Sequence, residues 1–347
     1  MNETKRQTEL DVLRLIATLA VIMTHLCGGA VKSLNVYSFD WTLMNCARAA
    51  VTWEVPVFVM ISGSLFLNPT RVITIKKIYQ KYIKHLVICF CVWSAVFQAY
   101  YYFTGDSSLN WKGILSQFLI GPYPYWYLFM LIGLYMLVPF IKRFVDNKQL
   151  MGYFIVLFFV AEFVSNYGVK LPFVGSTIEE IFNKASFHFT LGFTGYYILG
   201  YYISTHKISD RAEILLYALG IICVVFSCVG TTLQSRAEGA YNEWFSKYLM
   251  PNVIIEAAAV YTLFVKRISK IEFSDKARTV WTKISDCGLG VYLIHALIIE
   301  LLNLSGISVV TTSPIIMIPV LTIFVYLISL ALTWLIRKIP FVGKKIT

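Results

Sequence analysis

The stretch ELDVLRLIATLAVIMTHLCGG, residues 9–29, decides the fold because it is apolar for long enough to cross a membrane. A membrane span needs about 20 mostly apolar residues. This stretch nevertheless carries Asp11, Arg14 and His25. An ionisable side chain in mid-membrane costs at least about 2.5–3.5 kcal/mol on insertion scales, and such groups usually face the interior of a helical bundle. We therefore expect these three side chains to line a polar channel inside the protein.

The composition of the whole chain is that of an integral membrane protein. Of its 347 residues, 58% are hydrophobic and only 14% are charged, whereas soluble domains carry about 25% charged residues. The net charge of +11 is compatible with nucleic-acid binding. However, the basic residues fall between the apolar segments, where membrane topology explains them. We expect a lipid bilayer, and no nucleic acid, as a partner.

Ten segments are candidates for membrane spans, and the connections between them are too short for a soluble domain. The predicted spans are residues 11–30, 49–67, 85–104, 125–141, 150–166, 187–204, 212–233, 248–265, 285–304 and 314–336. The sequence thus predicts an all-α integral membrane protein, a bundle of about ten transmembrane helices. We expect it to form a single domain over residues 1–347.

The positions of lysine and arginine orient these spans. With the N-terminus in the cytoplasm, 22 of the 30 Lys and Arg residues fall in cytoplasmic segments and six in outer loops. Cytoplasmic loops carry an excess of these residues in membrane proteins. The distribution predicts that both termini are cytoplasmic.

The seven cysteines lie mostly inside apolar runs and form no Cys-x-x-Cys pair. Neither a metal site nor a disulfide framework is therefore expected, and we interpret the cysteines as buried thiols that fill space between helices.

Ionisable residues within the predicted spans are the candidates for function, since each is costly in hydrocarbon. They are Asp11, Arg14, His25, Arg48, Glu54, Glu162, His188, Glu256, His295 and Glu300.

The first span places three of these candidates on one face of a helix. Arg14 and His25 are 11 residues apart, which is close to three helical turns and about 16 Å along the axis. Asp11 lies one turn before Arg14, at the spacing of an i,i+3 ion pair. The alternative for Asp11 and Arg14 is an interfacial pair that reaches the headgroups. For His25 it is an interhelical hydrogen bond without chemistry.

The second span places Arg48 and Glu54 in its outer half. They are six residues apart and so do not face each other, while Glu54 lies at roughly the depth of His25. Pro56 is expected to kink this helix and to free a backbone carbonyl. The alternatives are a buried ion pair for Glu54 and interfacial anchoring for Arg48.

Two later spans also contain informative residues. Four aromatic residues at 123–127 are typical of an interfacial belt. In the ninth span Gly288 and Gly290 allow close helix contact, and His295 reaches mid-membrane. A packing histidine without chemistry is the alternative for His295.

Four segments together resemble acyltransferase family 3, the bacterial integral-membrane O-acyltransferases that modify cell-surface glycans. LDVLRLIATLAVIMTH (10–25) carries the Arg-x10-His signature of that family as Arg14 and His25. VPVFVMISGSLF (55–66), YWYLFMLIGLYMLVP (125–139) and GVYLIH (290–295) follow in the same order.

The resemblance implies a ten-helix core in the plasma membrane, with acyl-CoA, most often acetyl-CoA, as the donor substrate. Together with the buried polar residues, it points to His25, Glu54 and His295 as catalytic residues. His25 is expected to be a general base or an acyl carrier, and the local chemistry of Glu54, rather than the resemblance, suggests that this carboxylate orients the imidazole ring. Donor binding would fall to Arg14, with Asp11 fixing its position. Arg48 and Trp126 are assigned to the donor site as well.

The chain departs from the family pattern at two positions. Many relatives carry an arginine where this chain has Thr52, and Arg48 stands one turn earlier on the same face. Many also open the fourth span with His-x-Trp, where this chain has Pro124 and Trp126.

The acceptor stays open at this point. It is a hydroxyl of peptidoglycan, capsule, exopolysaccharide, a lipid-linked sugar or an amino acid. A transporter of a small molecule or glycan that uses the same polar channel is the alternative from another class.

Overall fold

The computed structural model describes residues 6–105, 110–172, 174–176, 178–179 and 192–347, and these are helical with no β-strand among them. The π-helical segment Ile78–Ile83 leads directly into the helix that begins at Lys84. The main helices are α1 (Thr8–Ser33), α2 (Phe39–Ala49), α3 (Glu54–Phe66), α4 (Lys84–Thr104), α5 (Trp111–Ile120), α6 (Trp126–Ile141), α7 (Lys148–Asn166), α8 (Phe193–Thr205), α9 (Asp210–Glu238), α10 (Pro251–Lys266), α11 (Asp275–Asp286), α12 (Gly288–Leu304) and α13 (Pro314–Arg337).

The described residues confirm an all-α multi-pass membrane protein. Eight helical segments are long and apolar enough to cross a membrane, and α11 with α12 makes a ninth if this pair, bent by 54°, is one span. These segments coincide with nine of the ten predicted spans. The predicted span 187–204 begins outside the described residues, and α8 covers it from Phe193 onward. The count of ten and the cytoplasmic termini stay predictions.

Helix α1 lies at the centre of the bundle. It packs against α2, α3, α10, α11, α12 and α13. Its apolar residues enter both groups of buried side chains that make up the core. The charged face that was predicted from the spacing of α1 is therefore enclosed by helices on several sides.

Helices α3 and α8 approach each other through a reciprocal pair of glycines. A Cβ atom at Gly63 would lie 1.9 Å from the carbonyl oxygen of Tyr197, and one at Gly200 would lie 2.2 Å from that of Met60. Membrane helices gain little from the hydrophobic effect and associate instead through close packing of small residues. This contact fixes α3, and hence Glu54, in the bundle.

Pro56 does not kink a helix as the sequence predicted. The chain breaks earlier, at residues 50–53, and α3 begins at Glu54. Pro56 then lies in the first helical turn, where its missing N–H has no intrahelical partner to lose.

The close contact predicted for the ninth span is present at one of its two glycines. A Cβ atom at Gly290 would lie 2.3 Å from the side chain of Thr333 on α13, whereas Gly288 has nothing within 4 Å. Helices α12 and α13 therefore pack closely around Gly290.

Two cysteines correct the prediction that all seven are free thiols. Cys46 on α2 and Cys228 on α9 form a disulfide across a Cα–Cα distance of 5.1 Å. They are 182 residues apart, so only the packing of α9 against α2 brings them together. The other five cysteines are free.

Candidate active site

The ion pair predicted at the start of α1 is present. Nη1 of Arg14 donates to Oδ1 of Asp11 over 2.7 Å, and Nε of Arg6 donates to Oδ2 of the same carboxylate over 2.7 Å. Arg6 also pairs with Asp286 at 2.8 Å. Nη1 of Arg14 reaches Oγ of Ser285 over 3.3 Å. Asp11 is thus clamped between two guanidinium groups, and the second of them escaped the sequence analysis.

These residues open onto a cavity of about 710 Å³, which we call the Arg14 cavity. Three arginines and one aspartate supply its charges, so that it is positive overall. Its lining consists of Arg6, Gln7, Leu10, Asp11, Arg14, Ser64, Leu65, Asn68, Thr70, Arg71, Ser204 and Thr205.

Arg71 is a cavity residue that the sequence analysis passed over as an ordinary loop charge. Its guanidinium carbon lies 5.2 Å from the centre of the Phe66 ring, and its Nη2 donates to the hydroxyl of Tyr82 over 3.2 Å. Nζ of Lys142 donates to the carbonyl of Arg71 over 2.7 Å and to that of Asn68 over 3.0 Å. Burial lowers the pKa of Lys142, which lies just beyond the end of α6. These contacts hold the loop after α3 in place at the cavity.

His25 and His295 form a direct pair that joins α1 to α12. Nδ1 of His25 lies 2.7 Å from Nε2 of His295, and Nδ1 of His295 lies 2.6 Å from the carbonyl oxygen of Tyr292. A carbonyl oxygen only accepts, so the neutral His295 carries its hydrogen on Nδ1, and its Nε2 accepts. His25 must then donate from Nδ1. The lone pair of Nε2 of His25 is therefore left for the cavity that this ring lines.

The cavity beside His25 has a volume of about 550 Å³, and we call it the His25 cavity. Its lining includes polar, charged and aromatic side chains from five parts of the chain. These are Thr24, His25, Gly28, Gly29, Lys32, Arg48, Thr52, Glu54, Tyr123, Pro124, Trp126, Glu243, Ser246, Lys247, Tyr248, Ala296, Ile299, Glu300 and Asn303.

Glu54 is a buried acid in the wall of the His25 cavity. Its side chain belongs to a residue that is 1% exposed. The hydroxyl of Tyr248 donates to its Oε1 over 3.1 Å, and Thr24 lies beside it. Its Oε2 makes no hydrogen bond within the described residues. Tyr248 was not a predicted site residue, and its place in the loop before α10 gave no signal for it.

Two of the four aromatic residues at the start of the fourth span, Tyr123 and Trp126, line the His25 cavity. The ring of Tyr123 meets that of His25 edge to face, with centroids 5.0 Å apart. The Trp126 ring stacks on Tyr248 with centroids 5.7 Å apart. Tyr125 is fully buried, and its hydroxyl donates to the carbonyl of Leu293 over 2.9 Å.

Arg48 and Trp126, which were predicted as donor-binding residues together with Arg14, line the His25 cavity. Thr52 lines the same cavity, and its hydroxyl donates to the carbonyl of Arg48 over 3.0 Å. The structure therefore brings Arg48, Trp126, Glu54, His25 and His295 together, and it leaves Asp11 and Arg14 in the other cavity.

Among the described residues, the Arg14 and His25 cavities share no lining residue, whereas one polar channel was expected along α1. Two tyrosines lie between them. Tyr127 is close enough to Arg14 for an electrostatic interaction. Its ring is 5.4 Å from that of Tyr292, which in turn is 5.7 Å from the ring of His295. The hydroxyl of Tyr292 is held by the carbonyl of Pro124. Packed aromatic rings thus divide the predicted channel into two.

Of the remaining candidates that the structure describes, only Glu300 lines one of the two cavities. Glu162 accepts from the N–H of Gly192 over 2.8 Å, and Glu256 accepts from Oγ of Ser227 over 2.7 Å. Glu300 lines the His25 cavity. His188 lies outside the described residues. Among the residues that are described, no group of three His, Cys, Asp or Glu side chains is placed to hold a metal ion.

The fold and the site define a multi-pass membrane protein with an oriented imidazole pair buried in the bundle and a polar cavity on either side of it. The family model for the acyltransferase domain of acyltransferase family 3 matches residues 7–337. The chain therefore belongs to this family, as its Arg-x10-His segment predicted. No curated protein and no solved structure matched the chain.

Proposed function

We propose that this membrane acyltransferase transfers an acyl group, most simply acetyl, from cytoplasmic acyl-CoA to a hydroxyl of a cell-envelope glycan or glycan precursor. The observation that carries the proposal is the lone pair of Nε2 of His25, which the hydrogen bonds of His295 direct away from the pair and toward a polar cavity. A base oriented by a second hydrogen-bonded group is the arrangement that acyl transfer requires.

The Arg14 cavity suits the nucleotide part of the donor. Arg6, Arg14 and Arg71 outnumber the single acid Asp11 there. Planar guanidinium groups bind phosphate through two parallel hydrogen bonds. With the protein in the plasma membrane and both termini in the cytoplasm, this cavity opens toward the cytoplasmic pool of acyl-CoA. Basic loops on that side steer an anionic donor toward it.

The transfer itself uses His25 as a general base. The acceptor hydroxyl oxygen attacks the thioester carbonyl carbon while its proton passes to Nε2 of His25. The C–O bond forms, the C–S bond breaks, and the imidazolium returns the proton to the departing thiolate. His295 acts as a positioning residue because its hydrogen bond fixes the tautomer of His25. Glu54 places a carboxyl group in the same cavity wall.

A covalent variant uses the same atoms. Nε2 of His25 attacks the thioester carbonyl first, so that an N–C bond forms, the C–S bond breaks and the thiolate of CoA departs. The acceptor hydroxyl then attacks the acyl carbon, the N–C bond breaks, and the hydroxyl proton passes to Nε2 and on to the thiolate.

The donor must reach from one cavity to the other. The rise of α1 separates Arg14 from His25 by about 16 Å, which a pantetheine arm can span. Its path runs past Tyr127 and Tyr292. We therefore expect these two rings to move apart when the donor binds.

The proposal is tested with purified protein in detergent, where no compartments exist. The protein is incubated with radiolabelled acetyl-CoA and the envelope glycan fraction of cells that lack the gene. We expect label to enter the glycan in an alkali-labile ester bond, and to fail to do so with His25→Ala protein.

The alternative function is a carrier, and the separation of the two cavities by Tyr127 and Tyr292 is the observation that favours it. A carrier exposes its site to one side at a time. Unlabelled glycan in the detergent assay, together with glycan uptake into sealed proteoliposomes, would replace the acyltransferase proposal with this one.

A further inference from the structure

The His25 cavity contains a guanidinium group whose hydrogen bonding is incomplete. Arg48 lies in the last turn of α2 and lines this cavity. Its Nη1 is buried and makes no hydrogen bond within the described residues. Its Nη2 lies 3.6 Å from Oε2 of Glu243, which is too long for a hydrogen bond. A buried charged donor without a partner is costly, so this position favours a ligand that brings an acceptor group.

The neighbours of Arg48 satisfy it only in part. Tyr241 contacts the guanidinium group, whose carbon lies 5.2 Å from the centre of the ring, but this contact leaves Nη1 without a hydrogen bond within the described residues. Burial raises the pKa of Tyr241 to about 12, so this phenol stays neutral near pH 7 and does not cancel the positive charge. The Glu243 side chain is 52% exposed, and exposed ion pairs contribute little. A ligand carboxylate can therefore replace Glu243 at modest cost.

Other charged residues of the cavity differ from Arg48 in solvent exposure or in hydrogen bonding. Three cations and three acids line it, so its net charge alone selects nothing. Lys32 is exposed to solvent, and Glu54 already accepts a hydrogen bond from Tyr248. Arg48 combines a planar, nearly buried cation with an open hydrogen-bonding position, and its side chain is only 14% exposed.

Flat aromatic surfaces complete the site. Tyr123 is 70% exposed and Trp126 is 36% exposed, although both line the cavity. Partly exposed rings of this kind pack against the apolar face of a pyranose, while a few polar groups fix its orientation. The shape and lining of the cavity thus match a sugar ring with one anionic substituent.

We propose that the His25 cavity binds a sugar that bears a carboxylate, and that Nη1 and Nη2 of Arg48 bind this carboxylate. The inference rests on the proposed function, because it names the class of acceptor for that reaction. The planar fork of a guanidinium matches a carboxylate in a bidentate pair. Arg48 and His25 are close enough to interact electrostatically, so a ring anchored at Arg48 presents a hydroxyl to Nε2 of His25.

The test measures binding without the donor, through quenching of tryptophan fluorescence, for three probes. These are methyl β-D-glucuronide, methyl β-D-glucoside and glucose 6-phosphate. Wild-type protein is compared with Arg48→Met, Arg48→Lys and Lys32→Met, the last being a matched loss of one positive charge in the same cavity. Binding of the glucoside serves as the internal control for folding in every variant.

We expect wild-type protein to bind the glucuronide at least about tenfold more tightly than the glucoside, since each bond to a charged group contributes substantially. Arg48→Met should abolish this preference without changing glucoside binding. Arg48→Lys should retain only part of it, and Lys32→Met should keep it. Equal binding of the two glycosides by wild-type protein, a preference that survives Arg48→Met, or tighter binding of glucose 6-phosphate than of the glucuronide would overturn the inference.

A second readout separates this inference from the proposed function. The same probes are incubated with labelled acetyl-CoA. Equal acetylation of glucuronide and glucoside would leave the acyltransferase standing and remove the carboxylate site. Selective, Arg48-dependent binding of the glucuronide without any ester formation would support the carboxylate site and contradict the acyltransferase proposal.

Discussion

The two cavities differ in how their charged groups are paired. In the Arg14 cavity both oxygens of Asp11 are bound, by Arg6 and Arg14, at 2.7 Å each. Beside the His25 cavity, three polar atoms have no hydrogen-bond partner among the described residues: Nε2 of His25, and the buried Nη1 of Arg48 and Oε2 of Glu54. The first region is built to hold a fixed positive surface. The second presents groups that await a reacting or bound partner.

Under the proposed function, this contrast suits two substrates of unlike character. A nucleotide donor needs positive charge, which Arg6, Arg14 and Arg71 would provide. An acceptor hydroxyl needs a base with a free lone pair, and the hydrogen bond to His295 would leave that of Nε2 of His25 open. We expect a change in one cavity to leave ligand binding in the other unaffected.

The largest effect is expected from His25→Ala. Removal of a general base lowers the rate by about 10²–10⁴-fold, while binding of acetyl-CoA in the Arg14 cavity should stay within about twofold. Radiolabel transfer and donor titration on the same preparation measure both quantities. The matched control is His206→Ala, because His206 stacks on Tyr202 outside both cavities and should leave transfer unchanged. Full activity of the His25 variant would remove this residue from the chemistry.

The next effect concerns His295 as a positioning residue. In His295→Gln an amide can still accept from His25 and donate to the carbonyl of Tyr292, so we expect a loss of about tenfold. His295→Leu can do neither, and a loss of about 100-fold or more is expected from the wrong tautomer. The loss should appear in kcat with little change in the KM for the acceptor. Equal activity of the two variants would argue for a packing role only.

Arg14→Met tests the other cavity. Loss of a bond to a charged group is worth about 1.5–3 kcal/mol, so the Kd for acetyl-CoA should rise by about 10- to 100-fold. Turnover at saturating donor should fall much less, because His25 is untouched. Arg6 still pairs with Asp11, which protects the fold. Arg278→Met, an arginine on α11 that bonds the carbonyl of Phe273, is the control. An unchanged Kd for Arg14→Met would place the phosphates elsewhere.

The smallest effect is the response to salt. Screening weakens interactions between accessible charges, and the Debye length falls from about 30 Å at 0.01 M to about 8 Å at 0.15 M. The Kd for acetyl-CoA should therefore rise by a few-fold over this range, whereas binding of methyl β-D-glucoside in the His25 cavity should not change. Parallel salt dependence of both ligands would contradict the division of charge between the cavities.

Local spacing along a helix made the first part of the site predictable. Asp11 and Arg14 pair as an i,i+3 spacing indicates, and the alternation of apolar and basic segments gave nine spans that the structure contains. The Arg-x10-His pattern also indicated the family correctly. These features depend on residues within one helix or on composition, which a sequence displays directly.

Contacts between distant segments set the rest. The His25–His295 bond joins residues 270 positions apart, and no spacing rule shows that the two rings meet. Arg71 resembles any other loop cation until Lys142 and two aromatic rings fix it at a cavity. The division of the expected channel depends on how the rings of Tyr127 and Tyr292 pack. Tertiary packing decided each of these features.

In the proposed reaction, one acyl transfer spans both cavities. This is tested by a structure with a non-transferable acetyl-CoA analogue, in which a methylene group replaces the thioester sulfur. We expect nucleotide phosphates at Arg14 and Arg71, separated rings of Tyr127 and Tyr292, and the acyl carbonyl in the His25 cavity, with room for an acceptor hydroxyl between its carbon and Nε2 of His25. An analogue bound wholly within the Arg14 cavity, with those two rings still packed together, would contradict it.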